Sequence, residues 1–193
     1  MKSIQKYFLA FLPPEPLLSK STQIKEQLRD RHQVKYALKS PPHITVKMPF
    51  SYNEAKEDLL AEKLGEFLKD QAPLAISIAG IGTFGSRVIF QQIIPDELLW
   101  DFQSRLGVFC KRELHLTNEL SDRNFHPHMT LAFKDLKPSK FSAVLETCNA
   151  LQFSGNFLAD KLFLLKRLEG KWKICRELQF GRSVLRNPVF FSI

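Results

Sequence analysis

The sequence predicts an α+β fold with a bilobal pseudo-twofold duplication, in which two antiparallel sheets line a central cleft and helices lie on the outside. The order of elements is the first observation: β-α-β-α-β-β is followed by α-β-α-β-β-β. A short motif, His-x-Thr, is the second, since it occurs in one strand of each half. No low-complexity linker separates the halves. We therefore expect residues 1–193 to form a single domain of two similar lobes, each with one His-x-Thr strand.

The first half begins with an apolar run over residues 4–12, which is typical of a buried strand. The segment Pro13-Pro14-Glu15-Pro16 ends this strand and introduces a helix. The first His-x-Thr strand follows. Ser51-Tyr52-Asn53-Glu54 has the form of a capping box and predicts a second helix. Alternating apolar residues then indicate strands near 74–78 and 88–92.

The second half begins with a helix and ends in three strands, and it repeats the sequence of a helix, a His-x-Thr strand, a helix and a strand pair. Pro95-Asp96-Glu97 begins a third helix, and a polar loop from Thr117 to Asn124 leads into the second His-x-Thr strand. Lys137-Pro138-Ser139 then begins a fourth helix. Three further strands are expected near 153–158, 161–168 and 171–178.

The stretch Gly80-Ile81-Gly82-Thr83-Phe84-Gly85 matches the dinucleotide-binding pattern G-x-G-x-x-G. That pattern requires a helix directly after it, because the helix N-terminus receives the pyrophosphate. Arg87-Val88-Ile89-Phe90 follows instead and is strand-like. The glycines therefore predict a hairpin turn, and we reject a nicotinamide site.

Composition is that of a folded globular protein, with 44% hydrophobic and 25% charged residues, and the 17 Phe indicate an aromatic core. The formal net charge of +8 favours a polyanionic partner such as RNA or a phosphorylated nucleotide. The excess is concentrated in residues 134–193, which hold 11 Lys and Arg against 5 Asp and Glu. A basic surface that only aids solubility is an equal alternative on charge alone.

Several features indicate a cytoplasmic protein that has no membrane partner. No apolar run is long enough to span a bilayer, and the N-terminal residues make a poor signal peptide. The cysteines Cys110, Cys148 and Cys175 are odd in number and far apart, so we expect reduced thiols. His126 and His128 could chelate a metal, but no second pair of ligands is apparent. We therefore expect no metal and no cofactor, and a monomer.

Each His-x-Thr strand should present a polar row and an apolar row, because side chains alternate between the faces of a strand. In the first strand His43, Thr45 and Lys47 share one face, and the apolar residues between them take the other. His128 and Thr130 repeat this arrangement in the second strand. The apolar rows would anchor both strands in a core and leave the His and Thr side chains facing a cleft or solvent.

Two facing imidazoles suit the cleavage of a phosphodiester. An unperturbed His pKa near 6.5 lets one ring be neutral while the other is charged. The neutral ring can take a proton from the attacking oxygen, and the charged ring can give one to the leaving oxygen. A Thr hydroxyl two residues along each strand could donate a hydrogen bond to a non-bridging phosphate oxygen. This chemistry requires no metal.

These residues give the chain its resemblance to a known family. His43-Ile44-Thr45-Val46 and His128-Met129-Thr130-Leu131 resemble the paired motifs of the 2H phosphoesterase superfamily, which includes LigT-like 2′-5′ RNA ligases and cyclic phosphodiesterases. The flanks Pro41-Pro42, Lys47-Met48-Pro49-Phe50 and Arg123-Asn124-Phe125-His126-Pro127 also resemble those of its bacterial branch. The order of elements extends the resemblance over roughly residues 4–180.

The resemblance implies a metal-independent phosphoesterase with a bilobal α+β fold that acts on 2′,3′-cyclic phosphate ends or related RNA and nucleotide phosphodiesters. His43 and His128 would be the acid/base pair, with Thr45 and Thr130 as phosphate ligands. Which His is the base stays open. The alternatives are a 2′-5′ RNA ligase or 2′-5′ phosphodiesterase, a non-catalytic RNA-binding module, and a carrier of small nucleotide phosphates.

Two further residues are candidates for substrate binding. Arg123 could contact phosphate at the mouth of the cleft, and the alternative is a solvated loop charge. Phe84 lies beside a turn that the family places near the cleft, and it could stack on a base or simply pack. His32 and His115 are expected to be surface residues.

Overall fold

The computed structural model describes residues 3–94 and 96–181. Pro95, which is predicted to begin the third helix, and the last twelve residues of the expected 1–193 domain lie outside the described residues. Within this part of the chain, no helix is both long and apolar enough to cross a membrane.

Eight strands and five helices make up the described part of the chain. The strands are β1 (Ile4–Phe11), β2 (Ile44–Asn53), β3 (Leu74–Phe84), β4 (Val88–Ile93), β5 (His128–Ala132), β6 (Gly155–Ala159), β7 (Lys161–Leu168) and β8 (Lys171–Gln179). The helices are α1 (Leu17–His32), α2 (Glu57–Leu68), α3 (Glu97–Glu113), α4 (Leu120–Arg123) and α5 (Phe141–Leu151).

The strands form two four-stranded antiparallel sheets, so the predicted α+β class is confirmed. The first sheet has the order β2-β1-β7-β8, and the second has the order β5-β4-β3-β6. Each sheet therefore takes two strands from each half of the chain. The His-x-Thr strands β2 and β5 occupy edges, one in each sheet, and each pairs with the strand that precedes it in sequence.

Helices cover one face of each sheet. Helices α2 and α3 pack against the first sheet, and α1 and α5 pack together against the second. The main core fills the space under α2 and α3 and includes Tyr7, Leu9 and Phe11 of β1. A second cluster under α1 and α5 contains Ile24, Leu28, Val34, Ile89, Leu131, Ala132, Leu136, Val144 and Cys148.

The C-terminal part of β1, from Tyr7 to Phe11, is buried on both faces, which explains its unbroken run of apolar side chains. Its odd-numbered residues point into the main core. Phe8 and Ala10 point the other way and form a small cluster with Leu165, against which Trp172 packs. This cluster gives the first sheet an apolar surface on the face away from α2 and α3.

The hairpin interpretation of the glycine-rich stretch is confirmed. Strand β3 runs to Phe84, and β4 starts at Val88 in antiparallel pairing with it. Gly85 adopts a φ of 54° at the turn, in the left-handed region that glycine occupies without strain. Gly82 is needed for space, because a Cβ there would lie 2.4 Å from the ring of Phe90.

The capping-box prediction for Ser51 to Glu54 is wrong. Ser51 remains in β2, where it pairs with Lys6 of β1. Asn53 is the residue that caps, and its side chain accepts a hydrogen bond of 3.2 Å from the backbone N–H of Ala55 at the start of a 3₁₀ turn. Continued pairing with β1 outweighs the local capping signal, so α2 begins only at Glu57.

The predicted polar loop over Thr117 to Asn124 contains the short helix α4 and a buried carboxylate. Asp122 forms a salt bridge of 2.5 Å with Lys47 of β2, and the two side chains are 2% and 1% exposed. The ammonium also donates to the backbone oxygen of Thr117 at 2.8 Å and to Asn118 Oδ1 at 3.2 Å. Lys47 is therefore buried as a structural tie, although strand alternation predicts it in the polar row of β2.

We predict that Asp122→Ala lowers the free energy of unfolding by about 3–5 kcal/mol, because it leaves the Lys47 ammonium buried without a counter-ion. Urea unfolding of wild type and variant measures this difference. Asp101→Ala is the matched control, since its ion pair with Arg105 is exposed and should contribute less than about 1 kcal/mol. Equal losses for the two variants would contradict a structural role for the buried pair.

Candidate active site

The two motif histidines are anchored in the same way. The Nδ1 atom of His43 lies 2.7 Å from the backbone oxygen of Pro41, and Nδ1 of His128 lies 2.7 Å from that of His126. A carbonyl oxygen only accepts hydrogen bonds, so Nδ1 carries the proton in both rings. Each Nε2 atom is thereby left as the nitrogen that can take or give a proton.

A proline explains why both anchors have the same geometry. Pro42 and Pro127 each lie between the histidine and the residue whose carbonyl it contacts. The ring of proline fixes its own φ and favours an extended conformation in the residue before it. The Pro-His-x-Thr pattern thus encodes the orientation of the imidazole ring as well as its presence.

Phenylalanine rings pack against both imidazoles. The ring of Phe8 lies 4.8 Å from that of His43, measured between centroids. Phe84 and Phe90 lie 5.0 and 5.1 Å from His128. These contacts shield the imidazole rings from water, and this loss of hydration disfavours the charged form of each ring.

Burial lowers the pKa of both histidines, because a low-polarity environment disfavours the charged ring. For His43 the pKa falls to about 4, with further lowering by the positive charges of Lys25 and of His128. For His128 the pKa also falls, mainly through burial and then through the charge of His126. His128 can affect the pKa of His43 because their strands are close: Cα atoms of β2 and β5 come within 8 Å of each other.

The threonines follow the histidines along the two strands. Thr45 and Thr130 are both half-buried, with buried residues on either side of them. Within residues 3–94 and 96–181, neither hydroxyl has a hydrogen-bond partner. Both hydroxyls are therefore free to donate a hydrogen bond to a ligand.

Two aspartates tie the strands together at either end. Asp122, which precedes β5, accepts a hydrogen bond of 2.8 Å from the backbone N–H of Met48 in β2. Asp135, which follows β5, accepts bonds of 2.8 Å from the backbone N–H groups of Lys35 and Tyr36, ahead of β2. These ties bring the segments that carry His43 and His128 together, although they belong to different sheets.

The two secondary candidates lie in different places. Phe84 is 39% exposed and packs directly on His128, so its free face borders the paired motifs. Arg123 is exposed on α4, with Nη2 3.5 Å from the backbone oxygen of Asn118. It lines a depression of about 640 Å³ together with Trp100 and Phe125, and none of the four motif residues lines that depression.

The remaining histidines differ from expectation in one case. His32 is half-buried, with Nε2 2.8 Å from Thr147 Oγ1, so it is not simply a surface residue. His115 is exposed as expected. His126 contacts Phe84 at 5.2 Å and lies 6.4 Å from His128 between ring centroids. Among the residues that the structure describes, no group of three or more His, Cys, Asp or Glu is placed to hold a metal ion.

Lys25 is a residue near the site that sequence reasoning missed. It is 2% exposed, and its Nζ atom donates to the backbone oxygens of Ala37 at 3.2 Å and Ser40 at 3.3 Å. A signal was available, because helical spacing places Lys25 on the same face of α1 as the buried Ser21 and Leu28. Phe8 and Phe90 were also missed, since 17 phenylalanines offer no way to single them out.

Comparison with known protein families gives one match that spans most of the chain. The profile described as the 2′-5′ RNA ligase superfamily matches residues 13–171. Two proteins that carry the name "Putative phosphoesterase" are each 28% identical to the chain. The one from Oceanobacillus iheyensis aligns over 183 residues, with 92% of this chain and 99% of that protein covered. The one from Bacillus pumilus aligns over 181 residues, with the same coverage.

Solved structures share the fold at low sequence identity. The protein TT0787 of Thermus thermophilus superposes with a TM-score of 0.62 at 16% identity, over 91% of this chain and 98% of that one. LigT of E. coli, solved in complex with 3′-AMP, superposes with a TM-score of 0.57 at 19% identity, over 93% and 100%. At these identities the likeness establishes a common fold.

We predict that the imidazole signals of His43 and His128 titrate below pH 6.5, with the pKa of His43 at about 4. Lys25→Met should raise the pKa of His43, because it removes a nearby positive charge. NMR titration of the ring protons measures both values. Lys25→Arg keeps the charge and is the matched control; an equal shift in the two variants would show that packing, and not charge, is responsible.

Proposed function

The chain belongs to the 2′-5′ RNA ligase superfamily, within the 2H phosphoesterases, and from this membership we propose that it is a metal-independent phosphoesterase for 2′,3′-cyclic phosphate ends or related RNA and nucleotide phosphodiesters. The family supports phosphoesterase activity in general. The substrate and the two-histidine mechanism are our proposal.

One observation carries the proposal: two imidazoles with the same anchor lie at the starts of two neighbouring edge strands, each with Nε2 free. A single anchored histidine occurs in many cores. Two copies on neighbouring strands, each followed by a threonine without a partner in the described part of the chain, would supply an acid, a base and two donors to one phosphate. This is the set that in-line displacement at phosphorus needs.

We assign His43 as the base in the direction of hydrolysis. Its pKa is lowered to about 4, so its ring is neutral at physiological pH. Nε2 of His43 takes a proton from water as the water oxygen bonds to phosphorus. The bond from phosphorus to one ribose oxygen breaks, and protonated His128 gives that oxygen its Nε2 proton. In the reverse reaction the two roles exchange.

The other residues bind the phosphate and the base. The hydroxyls of Thr45 and Thr130 donate to the non-bridging oxygens, where negative charge increases in the transition state. Bound phosphate also stabilises the charged form of His128 and favours its role as acid. The exposed face of Phe84 stacks on the base next to the reacting phosphate, a contact worth about 1–3 kcal/mol.

A nucleotide or RNA substrate fits the charge of the protein. The formal net charge is +8, which attracts a polyanion. LigT, which shares the fold, has been solved with 3′-AMP, with NADP⁺ and with ATP. The second candidate activity is ligation or cleavage of 2′-5′ linkages, which the name of the matching family favours. It uses the same catalytic groups on a different phosphodiester.

We predict that the protein hydrolyses an oligoribonucleotide ending in a 2′,3′-cyclic phosphate, and that EDTA does not change the rate. His43→Ala and His128→Ala should each lower kcat by about 10²–10⁴-fold, because each removes a proton-transfer group. Separation of the products by anion-exchange chromatography measures turnover. A 2′-5′ linked dinucleotide, assayed in parallel, tests the second candidate.

His115→Ala is the matched control, because this histidine is exposed and outside the motifs. It should retain the wild-type rate. Turnover that survives both motif substitutions would rule out the two-histidine mechanism, and loss of activity in EDTA would show that a metal takes part. RNA binding without turnover of any phosphodiester would favour a non-catalytic RNA-binding module.

We also predict a bell-shaped dependence of kcat/KM on pH with its optimum on the acidic side. The rate requires neutral His43 and charged His128, so it falls as pH drops through the pKa of His43, about 4. It also falls as pH rises through the pKa of His128, which is lowered from its usual value. Initial rates across the acidic and neutral range measure both limbs. A rate that still rises above pH 7 would contradict the assignment of base and acid.

A further inference from the structure

A small basic pocket lies beside the segment that leads into His43. Its volume is about 200 Å³. Side chains from α1, from the segment before β2 and from the start of β8 line it: Thr22, Lys25, Leu38, Lys39, Ser40, Pro41, Pro42, Lys171, Trp172 and Lys173. Four of these residues are lysines, and none of the described lining residues is acidic.

Lys25 is the unusual member of this set. Its ammonium carries three protons, and the backbone oxygens of Ala37 and Ser40 accept two of them. Within the described part of the chain, no carboxylate pairs with it. Lys47, which is also deeply buried, has Asp122 as its counter-ion. Lys25 thus keeps one ammonium proton without an acceptor in the described part of the chain, and its side chain, which is 2% exposed, lines the pocket.

A buried cation without a counter-ion is unfavourable, because burial removes its hydration. Burial accordingly lowers the pKa of Lys25 to about 7. A bound anion would reverse this effect and hold the ammonium in its charged form. The exposed lysines at positions 39, 171 and 173 add positive charge at the rim. The pocket therefore has the properties of an anion site that is complete only with its ligand.

The pocket opens on the same face of the first sheet as His43. Trp172 lines the pocket, and its ring centroid lies 4.7 Å from that of Phe8, which in turn lies 4.8 Å from that of His43. Pro41 and Pro42 also line the pocket, and the backbone oxygen of Pro41 anchors His43. An anion in this pocket would therefore lie next to the reacting phosphate and not at a remote surface.

We propose that this pocket binds the internal phosphodiester of an RNA chain, one nucleotide away from the phosphate that reacts. The proposal rests on the function proposed above and makes it more specific. Such a subsite selects oligonucleotide ends over mononucleosides, because a nucleoside 2′,3′-cyclic phosphate has no second phosphate to place there. Trp172 adds an aromatic surface beside the sugar of the adjoining nucleotide.

The test compares two substrates, a dinucleotide with a terminal 2′,3′-cyclic phosphate and the corresponding nucleoside 2′,3′-cyclic phosphate. Wild type should prefer the dinucleotide, through a lower KM. Lys25→Met and the double variant Lys171→Ser/Lys173→Ser should each lower the ratio of the two kcat/KM values by about tenfold or more, since each loses charged hydrogen bonds to phosphate. The double variant changes only exposed residues, so it tests the proposal even if Lys25→Met fails to fold.

Lys56→Ser/Lys137→Ser is the matched control, because it removes the same charge from exposed positions outside the pocket. It should keep the wild-type ratio. The subsite is overturned if this control lowers the ratio as much as the pocket variants do, or if no pocket variant lowers it. In either case turnover of the cyclic phosphates would still uphold the proposed function.

If neither substrate is turned over, the proposed function fails, and the subsite is judged by binding alone. Titration of inorganic phosphate into wild type, followed by the NMR signal of the Trp172 indole, should then show saturation at low ionic strength. Lys25→Met should abolish that saturation. Equal titration curves for wild type and variant would overturn the subsite.

Discussion

The buried ion pair between Lys47 and Asp122 is the interaction on which the geometry of the paired motifs depends. Its cost is the desolvation of two charges, which is offset because both groups are fully hydrogen-bonded. Lys47 donates to Thr117, Asn118 and Asp122, and the carboxylate accepts in addition from the backbone of Met48 and Glu119. The pair thus fixes the segment before β5 against the middle of β2. The pair contributes less to net stability than to the relative position of β2 and β5, which belong to different sheets.

The same logic applies at the other end of β5, where Asp135 accepts from two backbone N–H groups ahead of β2. Two short carboxylate side chains therefore bracket one motif strand and reach the backbone on both sides of the other. Between these ties, the histidines need only local structure to be oriented, and proline followed by a carbonyl anchor provides it. Long-range position and local orientation are thus set by separate residues.

The difference between local and long-range interactions explains what could be predicted from the sequence. The order of elements, the glycine hairpin and the alternation of His43 and Thr45 with apolar residues are local patterns, and the structure contains them. The pairing of strands from both halves within each sheet is non-local and leaves no periodic signal. Strand alternation predicts Lys47 in the polar row, because a local pattern carries no information about Asp122, its partner 75 positions away. The four-residue helix α4 is too short to show a period, and Ser51 stayed in β2 because pairing with β1 outweighed a local capping pattern.

The edge position of both motif strands has a consequence for the width of the cleft. Unpaired strand edges are normally an aggregation hazard that proteins cover or blunt. Here two such edges adjoin without forming a ladder, since β2 pairs with β1 and β5 with β4 in the described part of the chain. A ladder would close the gap to about 4.8 Å between strands, too narrow for a phosphate group. Because no ladder joins β2 to β5, the spacing of these two edges is set by the side chains that pack and bond between them, among them Asp122 and Asp135.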